Sequence, residues 1–177
     1  ESLGFAYYDR ELLKLAAERA EVGEELFADK DEKASNPWLF KAFYQGGPKV
    51  KQGQSAEDVL FQMQSEIIRE LAEKEDCIIV GRCSDFLLQN EPNVLNIFIY
   101  APYKARLENC VNALEMSEED AKRTIMKVDK ARCAYHKRYA GYSPSDPLHK
   151  HLMIDSSLLG VEGTADLIAE VVRRKFH

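Results

Sequence analysis

The sequence predicts an α/β fold with a parallel sheet covered by helices on both faces. Two short apolar runs rich in β-branched residues, Cys77-Ile78-Ile79-Val80 and Val94 to Tyr100, read as strands buried on both faces. Stretches of helical period separate them, as a crossover connection requires. A chain of 177 residues is long enough for one domain with a real core.

Glu1-Ser2-Leu3-Gly4 reads as the last turn of a helix, with Gly4 as its left-handed terminator. The chain therefore starts inside an element, and a strand is expected upstream. Phe5-Ala6-Tyr7 reads as a strand, and Asp9 can cap a helix from about Arg10 to Ala20. Val22 to Ala28 reads as a short helix. Residues 29–54 are irregular: a charged loop, an aromatic turn with Trp38 and Phe40, then Gly46-Gly47-Pro48. Ser55-Ala56-Glu57-Asp58 is a capping box opening a helix to about Lys74, with Leu60, Met63, Ile67, Ile68 and Leu71 on its core side. A short helix over Ser84 to Leu88 follows the strand. Pro102 starts a helix to about Ala113, and Ser117 caps a long basic helix to about Tyr139. Gly141 to Pro147 is turn chemistry. Leu152-Met153-Ile154-Asp155 is the last strand, and a helix from about Gly163 to Arg174 turns Leu167, Ile168, Val171 and Val172 inward. Four strands are visible, and the upstream one makes five.

No apolar run approaches the roughly 20 residues that span a bilayer, so no membrane partner is expected. The four cysteines have no metal-ligand spacing and read as free thiols of a cytoplasmic protein. The net charge of −6 argues against nucleic acid as a partner. That charge is uneven. Residues 1–76 carry 17 acids and 10 bases, whereas residues 77–177 carry 13 and 14. Lys122, Arg123, Lys127, Lys130, Arg132, Lys137, Arg138 and Lys150 are opposed between 122 and 151 only by Asp129 and Asp146. A small anion fits there.

Arg82 follows a buried strand and a glycine. In a parallel sheet it stands on the carboxyl edge, where ligands bind, and its fork of donors suits phosphate. The alternative is a surface arginine paired with a carboxylate. Asp9 and Asp155-Ser156-Ser157 also follow strands, so one rim would gather all three sites. Asp9 reads equally as a plain helix cap, and Asp155 and Ser156 as turn formers. Tyr135, Tyr139 and Tyr142, interleaved with the cations, either flank a nucleotide or anchor the helix to the core. His136, His149, His151 and His177 read as structural or exposed.

Phe61 to Lys74, followed by Cys77-Ile78-Ile79-Val80-Gly81-Arg82-Cys83-Ser84-Asp85, resembles the bacterial cytidylate kinase-like proteins, a branch of the P-loop nucleoside monophosphate kinases. So do Leu3 to Asp9, Lys127-Val128-Asp129-Lys130-Ala131-Arg132, and Asp155 to Gly160. The resemblance implies a three-layer α/β/α domain over 1–177, with a five-stranded parallel sheet whose first strand lies outside this sequence. It implies a monophosphate-binding insertion over 10–54 and a lid over 104–150. It sets Asp9, Arg82, Asp85 and Asp129 at the acceptor. Arg132, Lys130 and Arg138 become the catalytic cations of the lid, and Asp155 and Ser156 belong to the nucleotide-base loop. No metal-ligating residue is implied.

The implied activity is ATP-dependent phosphoryl transfer to a nucleoside monophosphate, CMP or dCMP, with Mg²⁺ held by phosphates and water. The sequence departs from the family in two places. It holds no phosphate loop, and Cys83 stands where cytidylate kinases carry aspartate after the glycine-arginine pair. Two other readings stay open: a kinase of another small acceptor, and a nucleotide-binding regulatory protein without turnover.

Overall fold

The computed structural model describes residues 3–9, 12, 15 and 56–176. The expected helix over 10–20 falls within the described residues only at Leu12, which is fully buried, and at Leu15; both are helical. The rest of the 10–54 insertion and its aromatic turn lie outside them, as does His177.

Two compact units make up the chain, one over Leu3–Leu87 and one over Leu88–His177. In the first, β1 (Ala6–Tyr8) pairs in parallel with β2 (Cys77–Ile79), Ala6 facing Cys77 and Tyr8 facing Ile79. Helix α1 (Ala56–Lys74) leads into β2 through a two-residue connection and returns along the strand. It buries Val59, Met63, Ile67 and Ile68, as its period requires. Leu60 and Leu71 flank that face and are half-buried. Helix α2 (Ser84–Leu87) follows the turn after β2.

In the second unit, β3 (Ile97–Tyr100) pairs in parallel with β4 (Leu152–Asp155), Ile97 facing Leu152 and Tyr100 facing Asp155. Between these strands lie α3 (Tyr103–Asn112), α4 (Glu118–Ala140) and a 3₁₀ turn over Pro147–His149. Helix α5 (Ser156–Phe176) closes the chain.

The described residues therefore form two two-stranded parallel sheets, where the sequence leads one to expect a single five-stranded sheet. The strands are also not buried on both faces. Ile78 and Val80 are 43% and 41% exposed, and Ile99 is 53% exposed. An uninterrupted apolar run records the side-chain type that a covered sheet needs; it does not record which neighbours cover it. Helix α5 begins seven residues before the expected Gly163. Asp155 accepts from the Ser157 backbone N–H at 2.9 Å and so caps the helix directly off the strand. Gly160, at φ 69° and ψ −175°, is not helical and separates this short first turn from the helix that follows, which matches the helix expected from about Gly163. Val172 is buried and Ile168 and Val171 half-buried, but Leu167 faces outward at 40% exposure.

Candidate functional site

In the first unit the site is built on the turn after β2. Gly81, Arg82 and Cys83 all have left-handed backbone, with φ of 72°, 55° and 56°. Glycine takes this conformation without cost; arginine and cysteine each lose on the order of 1–2 kcal/mol there. The turn is held by local hydrogen bonds. The Ser84 N–H donates to the Gly81 carbonyl at 3.0 Å, and the Phe86 and Leu87 N–H groups donate to the Cys83 carbonyl. Cys83 is only 2% exposed, so its side chain anchors the turn in the core while Arg82 stands half-buried beside it. The strained backbone sets where the Arg82 guanidinium starts.

Asp9 follows β1 one step after Tyr8. The Val80 N–H donates to the Tyr8 carbonyl at 2.9 Å, so Asp9 and Gly81 leave the same end of this sheet. Asp85 lies in α2. Asp9, Arg82 and Asp85 share the carboxyl edge of one two-stranded sheet, and each is already engaged in a polar or electrostatic interaction. At the opposite end, burial first and then Glu75 and Asp76 push the Cys77 thiol up, away from nucleophilic use.

In the second unit the cations ride on α4. Ser117 caps it, accepting from the Asp120 N–H at 3.1 Å, and Gly141 ends it in left-handed conformation with φ 85°. Ala121, Ile125 and His136 form its buried stripe. Arg132 falls on that stripe by helical period, between Ile125 and His136, yet it is exposed. None of the described residues covers the helix there. Arg132, Lys130 and Lys137 have neither an ion pair nor a hydrogen bond among the described residues. Arg138 stands 5.3 Å from the Tyr139 ring centroid as a cation–π pair.

Asp129 is held by an ion pair from the neighbouring helix. The Nη1 of Arg106, on α3, donates to Oδ1 at 2.9 Å and to Oδ2 at 2.8 Å. Arg106 escaped the sequence reading because an arginine on a solvated helix has no distinctive spacing, and its partner lies 23 residues away.

Two of the tyrosines pair along α4, and the third packs between the helix and the segment after it. Tyr135 and Tyr139 meet edge to face at 4.9 Å, and Tyr142 stacks on His149 at 3.6 Å while meeting His136 at 4.8 Å. His136 Nδ1 donates to the Tyr142 carbonyl at 2.9 Å, tying the end of α4 to the segment after it. Asp155 and Ser156 do local work. Asp155 also accepts from the Ser157 hydroxyl at 2.7 Å, and Ser156 donates to the Tyr100 carbonyl at 3.1 Å. Among the described residues no three His, Cys, Asp or Glu side chains gather as a metal cage, and no helix is long and apolar enough to cross a membrane.

The fold resembles that of an uncharacterized protein from Eubacterium ventriosum ATCC 27560, whose crystal structure aligns with a TM-score of 0.64 at 21% identity. The alignment covers 97% of this chain and 84% of that one. Comparison with curated proteins finds no match. The model of the cytidylate kinase-like family matches residues 1–158, which takes in both candidate sites. The chain belongs to the cytidylate kinase-like family.

Proposed function

We propose that this protein transfers the γ-phosphate of ATP to a nucleoside monophosphate, CMP or dCMP. Family membership points to nucleotide kinase chemistry. The observation that carries the reading is Arg132: an exposed guanidinium in line with the buried stripe of α4, with no ion pair or hydrogen bond among the described residues. Phosphoryl transfer asks a protein chiefly for positioning and positive charge around the phosphates. Arg132, Lys130 and Arg138 supply that charge from α4, within a lid over 104–150. Arg82 grips the acceptor phosphate from a strained turn that fixes its origin, with Asp9 and Asp85 on the same sheet edge. The 10–54 insertion holds the rest of the monophosphate, and Asp155 and Ser156 border the nucleotide base. ATP brings Mg²⁺ on its own phosphates and water.

A coupled ADP-release assay on the full-length protein, run over a panel of nucleoside monophosphates, tests the reading. CMP or dCMP should give the highest kcat/KM, and Arg132→Ala should abolish most of it. Absence of turnover with every monophosphate would overturn the proposal.

A further inference from the structure

We propose that Arg106 is a positioning residue whose task is to keep Asp129 away from Arg132. The inference rests on the phosphotransferase reading above, because it concerns the charge that Arg132 presents to phosphate.

Asp129 and Arg132 are three residues apart on α4, close enough for an ion pair along the helix. Helix α4 forms such pairs elsewhere. Arg123 Nη2 meets Asp120 Oδ1 at 2.6 Å with the same spacing, and Lys122 pairs with Glu118 one turn back. Asp129 and Arg132 do not pair. Both carboxylate oxygens of Asp129 are taken by Arg106 from α3, and Arg132 has no ion pair or hydrogen bond among the described residues. No other cation sits three or four residues from Asp129 on α4. The carboxylate therefore has two candidate partners, one on each helix, and the structure shows which one holds it.

The arrangement is not an obvious stability device. Arg106 and Asp129 side chains are 36% and 47% exposed, where an ion pair contributes little. Among the described residues the buried Arg106 Nε has no hydrogen-bond partner, which costs rather than stabilises. What the pair does achieve is electrostatic. It neutralises the one carboxylate within a turn of Arg132, so Arg132 keeps its full charge for an incoming anion. Without Arg106, Asp129 can pair with Arg132 and repel a phosphate.

The test reads the Arg132 side chain and turnover together. In isotopically labelled full-length protein the Arg132 Nε–H resonance, assigned by its loss in Arg132→Lys, should exchange quickly with water. In Arg106→Ala it should shift and exchange more slowly as Asp129 engages it. In the double variant Arg106→Ala/Asp129→Asn it should return towards the wild-type position. Turnover should fall about three- to tenfold in Arg106→Ala, the size of one unscreened charge near a phosphate. Arg106→Gln keeps the side-chain stem and should behave like the alanine variant if that one fails to fold. An unchanged Arg132 resonance in Arg106→Ala, or one that stays displaced in the double variant, would overturn the proposal. A wild-type protein that turns over nothing would remove the kinase reading, while the Arg132 resonance would still decide this one.

Discussion

Arg82 shows how one residue can be legible in type and illegible in conformation. Gly81 announces a turn after an apolar run, and an arginine after that glycine suggests an anion. Nothing in the letters says that Arg82 and Cys83 continue in the left-handed region, because those conformations depend on the buried Cys83 and on the carbonyls that the next helix uses. The strain makes a prediction. Arg82→Gly and Arg82→Ala both lose the guanidinium and should lose acceptor binding alike. The glycine variant, which fits φ 55° without a Cβ penalty, should be more stable than the alanine variant by about 1 kcal/mol. Urea unfolding of the two compares them directly. Equal midpoints would mean that the left-handed turn relaxes in solution. Asp129 gives the complementary lesson: its acidity among bases marks it as special, but its partner on another helix is invisible until the helices pack.

At the scale of elements, boundaries were legible where a cap has its own chemistry. Ser117 and Gly141 bracket α4 as their residue types require, and Pro102 immediately precedes α3. The helix expected from about Gly163 is the part of α5 that follows the Gly160 kink; the short helical turn before it was not legible, because the exposed Leu158 and Leu159 carry no apolar period. The first turn of α4 also sets a pH dependence. The Ser117 hydroxyl and then Arg123 hold the Asp120 carboxyl below the ordinary range, and Lys122 does the same for Glu118. A carboxyl with a depressed folded value binds protons more readily unfolded. Its contribution is thus present at neutral pH and lost as pH falls through the ordinary carboxylate range. Ser117→Ala should destabilise the protein by about 1 kcal/mol near neutrality. That difference should shrink in acid below the ordinary carboxylate range, where Asp120 is protonated in either protein. A urea series near neutrality and in acid checks it; a penalty that stays constant into acid would show that the cap acts through the Asp120 N–H alone.

Across the whole molecule, the alternation of strands and helices and the parallel pairing were legible from period and length. The division of the described strands into two two-stranded sheets was not, because side-chain type does not specify which strands find one another. Isoleucine makes the point measurable. Ile99 on β3 and Ile154 on β4 are register partners of the same residue type, yet they are 53% and 7% exposed. Truncation to alanine should therefore cost very different amounts. Ile154→Ala leaves a cavity in a packed core and should lose about 2–5 kcal/mol. Ile99→Ala gives up contacts that are half-made, and should lose under about 1 kcal/mol. Denaturant midpoints of the two variants, with the slope held common, give the comparison. A cost at Ile99 as large as that at Ile154 would mean that another surface covers β3 in the native protein. In that case the covered sheet that the apolar run Val94 to Tyr100 calls for is realised in solution.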